Sequence, residues 1–130
     1  DNSLSFDPAL VLEVRGFSYE AGYMAVKDLI EKDLLPPAIF AAGDMLAIGA
    51  MKALREHVIR VPEDVAIVGY NDIDVADYVM PALTSVTVPV ERMGEESAKL
   101  LLKLMNKQKI ARQPLVMPTE LVIRKSCGCK

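Results

Sequence analysis

Two polar residues that could bind a small molecule each follow a short apolar segment. Asp44 follows AIFAAG, and Asn71 follows VAIVGY. A carboxylate accepts hydrogen bonds from ligand hydroxyls, whereas an amide both donates and accepts them, which suits sugar hydroxyls or the edge of a purine. Residue type alone favours local roles: an N-cap for Asp44, which is compatible with a place in a ligand crevice, and an Asx-turn for Asn71 or Asp72.

An aromatic residue lies in a predicted loop upstream of both. Phe17 stands between Gly16 and Ser18, in a chain of which only 5% is aromatic. Its ring could stack on the face of a sugar or on a nucleobase. A hydrophobic staple, in which the residue before the N-cap packs on the first helical turn, explains the same residue equally well. Both alternatives stay open on sequence grounds.

The sequence lacks the residue patterns that catalysis and metal binding need. His57 is the only histidine and lies at a predicted helix end, where a solvated basic residue is expected. No nucleophile–base pair, paired-histidine motif or Gly-rich phosphate loop is present. Cys127 and Cys129 supply only two of the four ligands of a zinc site, and oxidisable surface thiols are the simpler interpretation. We therefore expect neither an enzyme nor a metal or cofactor.

The residues just described must be positioned by strands and helices, and the chain alternates between the two. Apolar runs predict strands, and helical spacing of apolar residues predicts helices. The predicted strands are Leu10–Arg15, Ala38–Ala42, Val65–Gly69, Thr84–Val88 and an extended segment at Leu115–Ile123. The predicted helices are Tyr19–Lys32 with Ser18 as its cap, Asp44–His57, a short Val75–Val79 and Glu91–Lys107. Arg124–Lys130 is expected to be a frayed tail.

This alternation predicts an α/β fold: an open, mostly parallel sheet with helices on both faces, in three αβα layers. Ala38–Ala42 is apolar throughout, as is typical of a central parallel strand. Ligands of open α/β sheets bind at the carboxyl ends of the strands, which is where Asp44 and Asn71 fall. The helix that begins at Asp44 is apolar nearly all round its first two turns. That pattern indicates burial by the sheet and by a second surface, such as a subunit partner.

Composition narrows the class of protein. The 130 residues suit one domain, and 52% hydrophobic with 25% charged residues is typical of a globular chain. The net charge of −3 and the scattered Lys and Arg residues provide no basic face for nucleic acid. No apolar run approaches the roughly 20 residues that span a bilayer. The opening DNSLSFDP lacks the basic region of a signal peptide, so we expect a reducing, cytoplasmic location and no membrane partner.

Several collinear motifs together resemble one known family. AIFAAGDMLAIGAMKAL, VPEDVAIVGYNDIDVADYVMPALTSV, ERMGEESAKLLLKLM and MPTELVIRKSC follow GFSYEAGY, as in the effector-binding domain of the lactose/galactose repressor family. The resemblance covers about Arg15 to Cys127 and implies a periplasmic-binding-protein-like lobe of type I. It implies a partial effector domain over 1–125, with 1–83 and 113–125 in a second lobe and 84–112 crossing to a first lobe. It also implies a tail at 126–130 and a DNA-binding helix-turn-helix outside this chain.

The resemblance also implies functional residues. Phe17 matches an aromatic residue that stacks on the effector, and Asn71 matches a position often held by an effector-binding Asp. Asp44, with Gly43, matches the loop where some sugar-binding members place an Asn–Asp pair. Gly43 removes that amide and Asn71 removes a charge, which leaves the effector's identity open. The implied dimer interface consists of Ile48, Met51 and Val79.

These matches imply an effector-sensing and dimerisation domain of a transcriptional regulator. A small molecule, a sugar before a purine, would alter the placement of the two subunits of a homodimer and thereby the affinity for operator DNA. A sugar-binding protein of a transport system and the same sensor fused to another signalling output are the alternatives.

The 91–107 helix carries an apolar stripe, Leu100, Leu101 and Leu104, that must pack on this lobe, pair with another chain or stay exposed.

Overall fold

The computed structural model of the chain describes residues 7–109 and 114–129. In these two stretches the helices are α1 (Tyr19–Glu31), α2 (Asp44–Glu56) and α3 (Val90–Met105), and the strands are β1 (Ala38–Phe40), β2 (Ala66–Asn71), β3 (Thr84–Thr87) and β4 (Glu120–Val122). Short 3₁₀ turns lie at Pro8–Leu10 and Asp74–Asp77. None of the helices described is long and apolar enough to cross a bilayer.

The four strands form one open sheet in the order β1-β2-β3-β4. β1 and β2 are parallel, as are β2 and β3, whereas β3 and β4 are antiparallel. The predicted fold class is therefore confirmed as an open, mostly parallel sheet with helices. Asn71 at the end of β2 is paired with Thr87 at the end of β3. This register brings the carboxyl ends of two neighbouring parallel strands to one edge of the sheet.

Helix α2 packs between α1 and the sheet and supplies half of the buried hydrophobic core. Ser18 caps α1 as predicted, because its hydroxyl oxygen accepts a hydrogen bond from the Ala21 N–H at 3.1 Å. Leu54 of α2, Ile67 of β2 and Leu83 before β3 are fully buried together. Each such side chain contributes about 1.5–3 kcal/mol of burial free energy, so this cluster fixes α2 against the sheet.

The predicted strand at Leu10–Arg15 is wrong. Pro8–Leu10 forms a 3₁₀ turn, started by Pro8 and by the Asp7 carboxylate, which accepts from the Ala9 N–H at 2.9 Å. Residues 11–15 pair with no strand in the part of the chain described, and an apolar slot of about 350 Å³ separates them from β1. β1 is consequently an edge strand of the described sheet and not the central strand expected, and Phe40 is 64% exposed.

The frayed tail predicted from Arg124 is wrong for its first half. Ser126 is fully buried, and its hydroxyl donates to the Ile67 carbonyl at 2.7 Å and accepts from the Thr84 N–H at 2.8 Å. The Ser126 carbonyl also accepts from the Ile67 N–H at 2.8 Å. A polar side chain is buried without penalty when each of its groups is hydrogen-bonded, so a polar sequence does not by itself indicate a tail.

Helix α3 contacts little of the rest of the chain. None of its residues is buried, and its leucine stripe is exposed in this single chain. Of the three outcomes predicted for the stripe, exposure is the one seen here, and pairing with another chain stays a prediction. The division of the chain into two lobes also stays a prediction. Some of its predicted limits fall in residues 1–6, 110–113 and 130, which lie outside the described residues.

Candidate functional site

The carboxyl ends of β1 and β2 meet at one edge of the sheet, and the predicted site residues lie around it. The Ala41 N–H continues the pairing by donating to the Val68 carbonyl at 2.8 Å. Phe17, just before α1, places its ring over Gly43, where a Cβ atom would lie 3.2 Å from the ring carbon Cδ1. The ring is 62% exposed. The staple alternative is not supported, because the position that would meet the ring on the first turn is Gly22, which has no side chain.

Asp44 lies beneath this edge and connects the two strand ends. It is 1% exposed, and Gly43 rather than Asp44 occupies the N-cap position of α2. One carboxylate oxygen, Oδ2, accepts from the Ile73 N–H at 2.8 Å. The other, Oδ1, accepts from the Ser85 hydroxyl at 2.6 Å. Both oxygens are therefore used within the chain.

Gly69 in β2 makes room for the Asp44 carboxylate. A Cβ atom at position 69 would overlap Oδ1 of Asp44 and would also crowd the Leu83 side chain. Glycine is required here for close approach rather than for an unusual backbone conformation. The sheet thus accommodates a buried carboxylate at the point where its strands end.

Hydrogen bonds to Asp44, Ser85 and Arg124 hold the loop after β2. Asn71 and Asp72 have positive φ values of 100° and 53°, a conformation that Asn and Asp tolerate better than most residues. The Asp72 N–H donates to the Ser85 hydroxyl at 3.1 Å, and the Arg124 guanidinium donates to the Asp72 carboxylate at 2.7 Å. Arg124 also donates to the Leu83 carbonyl at 2.8 Å. The Asp72 carboxylate is therefore engaged by Arg124 and not by the Asx-turn expected.

The three predicted effector residues are brought together by these contacts. Phe17 contacts Gly43, and the adjacent Asp44 bonds Ile73, two residues after Asn71. Phe17 and Asn71 are exposed at the edge, whereas Asp44 is buried behind them. The arrangement offers an apolar ring and an amide to solvent at one edge of the sheet. An aromatic face and a group that both donates and accepts can bind a small polar ring compound.

Sequence reasoning missed the residues that support the loop. Ser85 and Arg124 bond residues that are distant along the chain, and Ser126 anchors the segment that follows Arg124. Ser85 lies within an otherwise β-branched strand, and a small polar residue in such a strand could have drawn attention. Arg124 and Ser126 carried no comparable signal, because charged and small polar residues near a terminus are usually solvated.

A second surface contains the residues predicted at a dimer interface. Ile48, Met51 and Val79 all line one groove of about 930 Å³ between α1, α2 and the segment after the Asp74–Asp77 turn. Tyr78 and Met80, which were not predicted, border it and are 84% and 89% exposed. Large apolar side chains that are exposed together commonly mark an interface.

Polar side chains close one side of the groove. The Tyr23 hydroxyl donates to the Glu56 carboxylate at 2.7 Å, and the Lys52 ammonium lies 5.3 Å from the centre of the Tyr23 ring. The hydrogen bond to Glu56 raises the pKa of Tyr23, and the same bond lowers the pKa of Glu56. The groove therefore has an apolar floor with a polar rim, as protein interfaces do.

Comparison with known proteins identifies the family. A model described as a periplasmic binding protein-like domain matches residues 7–127. The HTH-type transcriptional repressor MelR of Bacillus subtilis (strain 168) is 43% identical over 113 residues, which are 87% of this chain and 33% of MelR. A lactose operon repressor of Rhizobium radiobacter is 36% identical over 107 residues, 82% of this chain and 94% of that protein. The chain belongs to the lactose/galactose repressor family.

Solved structures of this family have the same fold. A complex of the transcriptional regulator CelR with cellobiose has a TM-score of 0.86 at 36% identity, over 95% of this chain and 37% of that one. A Lac repressor dimer bound to operator and the anti-inducer ONPF has a TM-score of 0.79 at 30% identity, over 85% of this chain and 38% of that one. The resemblance found in the sequence is thus confirmed. The chain spans about a third of the length of MelR, and the named relatives are transcriptional regulators.

Proposed function

We propose that this chain is the effector-sensing and dimerisation part of a lactose/galactose-repressor-type regulator. A small molecule, a sugar in the first instance, binds against Phe17 and Asn71, and operator DNA is bound by another part of the longer protein. The observation that carries this proposal is a pair of exposed side chains at one edge of the sheet: the Phe17 ring, which lies over Gly43, and the Asn71 amide, at the end of β2 just before a loop bonded to Asp44. A loop fixed by hydrogen bonds before a ligand arrives lowers the entropy cost of binding.

The chemistry of the edge favours a sugar. The face of a pyranose ring is apolar enough to lie on an aromatic ring, while its hydroxyls need groups that both donate and accept hydrogen bonds. Phe17 supplies the first and Asn71 the second. The structure of CelR with cellobiose, a related regulator, supports the same choice. A purine would also stack on Phe17, and it is the second ligand class to test.

Asp44 acts on the effector indirectly in this proposal. Its two oxygens already accept hydrogen bonds from Ile73 and Ser85, so a direct bond to a ligand would have to displace one of them. We infer that Asp44 positions the loop that carries Asn71. It is a positioning residue, and Asn71 is the residue that touches the effector.

The proposed mechanism couples the two surfaces. Effector binding at the Phe17 and Asn71 edge favours one arrangement of a homodimer formed through the groove of Ile48, Met51 and Val79. That arrangement changes how two DNA-binding heads fit a pair of operator half-sites. The coupling free energy of such systems is typically about 1–3 kcal/mol, which is enough to change operator occupancy by an order of magnitude.

The test is a binding titration of the purified protein by calorimetry, with cellobiose and lactose as sugar probes and adenine as the purine probe. For the probe that binds, we expect Phe17→Ala to weaken affinity about fivefold or more, the cost of losing about 1 kcal/mol of stacking. We expect a similar or larger loss for Asn71→Ala, because it removes hydrogen bonds to the ligand.

Matched controls are available in the same chain. Leu34 is a large apolar side chain about as exposed as Phe17, but it precedes β1 and so lies near the opposite ends of the strands. Asn106 is an exposed asparagine just after α3. Leu34→Ala and Asn106→Ala should leave the affinity unchanged. Equal affinities for all four variants would refute the assignment of Phe17 and Asn71, even if a sugar binds.

A further inference from the structure

The two cysteines of the chain lie close together on a turned segment. Gly128 has φ of 70°, and the Cys129 N–H donates to the Cys127 sulfur at 3.3 Å. Cys127 is half-buried and Cys129 is exposed, and both are free thiols. The preceding residue, Ser126, is fully buried and bonded to β2 and to Thr84. The first thiol therefore follows an anchored residue, whereas the second is exposed beyond the turn.

The two thiols differ in how easily they ionise. Burial raises the pKa of Cys127, but hydrogen bonds from the Cys129 thiol, from Thr84 and from the Cys129 N–H outweigh it, so that the pKa lies below its ordinary value. The hydrogen bond to Cys127 raises the pKa of Cys129, and burial adds to this effect. A thiolate is the nucleophile in thiol–disulfide exchange, so Cys127 is the residue suited to attack first.

We propose that Cys127 and Cys129 form a reactive dithiol site for low-molecular-weight disulfides of the glutathione type. The Cys127 thiolate attacks one sulfur of the small disulfide, forms a mixed disulfide and releases one thiolate. Cys129 then gives its proton to that thiolate and attacks the Cys127 sulfur. The bond to the small thiol breaks, and a Cys127–Cys129 disulfide forms. In total, two protein thiols are oxidised and one small disulfide is reduced to two thiols.

The geometry permits this ring to close. Disulfides join residues whose Cα atoms are about 4.4–6.8 Å apart. Cα atoms two residues apart cannot exceed roughly 7.6 Å, and a turn between them shortens that distance. Gly128 supplies the turn, because a positive φ at this position costs about 1–2 kcal/mol for a residue with a Cβ atom. The chain contains no third cysteine that could compete for the mixed disulfide.

The test incubates the purified protein in buffers with defined ratios of glutathione to glutathione disulfide, quenches with acid and an alkylating reagent, and measures intact mass. We expect the protein to lose two hydrogen atoms without retaining glutathione, and dithiothreitol to reverse the loss. Cys129→Ser should accumulate one bound glutathione, because the resolving thiol is gone. Cys127→Ser should react about tenfold more slowly, because the remaining thiol is poorly ionised.

A third variant keeps both thiols and changes only the turn. Gly128→Ala should slow ring closure about fivefold or more and allow the mixed disulfide to be detected, whereas Gly94→Ala in α3 should not. Circular dichroism of each variant shows that it is folded, and Cys127→Ala serves if Cys127→Ser is not. The proposal is overturned if the unsubstituted protein keeps bound glutathione or forms only intermolecular disulfides. It is also overturned if both serine variants react at the same rate.

Discussion

Asp44 is the residue on which the candidate site depends. A buried carboxylate costs several kcal/mol unless its oxygens are hydrogen-bonded, and here both are. The two donors, Ile73 and Ser85, belong to the loop after β2 and to β3, while Asp44 itself begins α2. One side chain therefore holds together three segments that meet at the edge of the sheet. This bridging gives the buried carboxylate a structural role that does not depend on a ligand.

Asp44→Asn tests the bridge with almost no change in shape. The amide can accept from only one of the two donors, and its NH₂ group then faces the other. We expect the free energy of unfolding to fall by about 1.5–3 kcal/mol, the usual contribution of a hydrogen bond to a charged group. Urea unfolding at neutral pH measures it. Asp33→Asn, at an exposed position with φ of 57°, is the control and should change stability by less than about 0.5 kcal/mol. Equal effects would show that the bridge contributes nothing.

At the scale of elements, α1 and α2 are in backbone contact. A Cβ atom at Gly22 would overlap the Leu46 backbone, and one at Gly49 would overlap the Tyr19 backbone. The two glycines let the helices approach closely, which seats α2 on the sheet and brings its first turn to the site.

Gly49→Ala should therefore destabilise the protein, although alanine is the better helix former. Overpacking against backbone costs about 1–3 kcal/mol, which exceeds the roughly 1 kcal/mol of helix propensity gained. Gly94→Ala in α3 is the matched control, because a Cβ atom there meets nothing within 4 Å. That substitution should raise stability by about 0.5–1 kcal/mol. Thermal unfolding of the two variants should thus shift in opposite directions, and a shared direction would contradict the close packing.

The turn that leads into β2 is closed by an ion pair between Arg60 and Asp64. The Asp64 carboxylate accepts from the Arg60 guanidinium at 2.6 and 2.8 Å and from the Arg60 N–H at 2.8 Å. The side-chain and backbone hydrogen bonds from Arg60 lower the pKa of Asp64 from 3.8 to about 2. A lowered pKa in the folded state means that the contribution of Asp64 is present above about pH 4 and is lost as the pH falls towards 2.

Asp64→Asn should remove this part of the acid sensitivity. The variant should be less stable than the unsubstituted protein at neutral pH, and the difference should shrink between pH 4 and pH 2, where Asp64 becomes protonated in the folded state. Urea unfolding measured across this pH range gives both curves. A stability difference for Asp64→Asn that stays constant across this pH range would contradict the ion pair.

Local signals in the sequence predicted the elements well, and non-local pairings were missed. Ser18 and the prolines after α1 mark helix ends by chemistry within a few residues, so α1 fell where expected. The segment 11–15 has the apolar content of a strand, but a strand exists only if another pairs with it, and composition does not contain that information. The bonds from Asp44 to Ser85 and from Arg124 to Asp72 join residues 41 and 52 positions apart. The family pattern suggested the candidate site residues, whereas the hydrogen bonds around them became visible only in the folded chain.

At the scale of the whole molecule, the described residues leave at least two large apolar surfaces uncovered in a single chain. One is the groove flanked by Tyr78 and Met80, and the other is the leucine stripe of α3. One face of α2 packs on the sheet. The opposite face of this helix borders the groove and carries the apolar residues that the sheet does not cover. Burial of exposed apolar side chains is the main driving force for association, so both surfaces are to be tested as the predicted contact between subunits.

Charge substitutions distinguish the two surfaces. Met80→Asp puts a carboxylate on the groove, and Met105→Asp puts one at the end of α3, where Met105 is also exposed. A central interface residue contributes about 2 kcal/mol or more, so Met80→Asp should weaken the dimer at least roughly tenfold in sedimentation velocity. Met105→Asp should leave the dimer intact under the same conditions. The reverse pattern would make the α3 stripe the contact between subunits, and the groove with Ile48, Met51 and Val79 would then lose its proposed role.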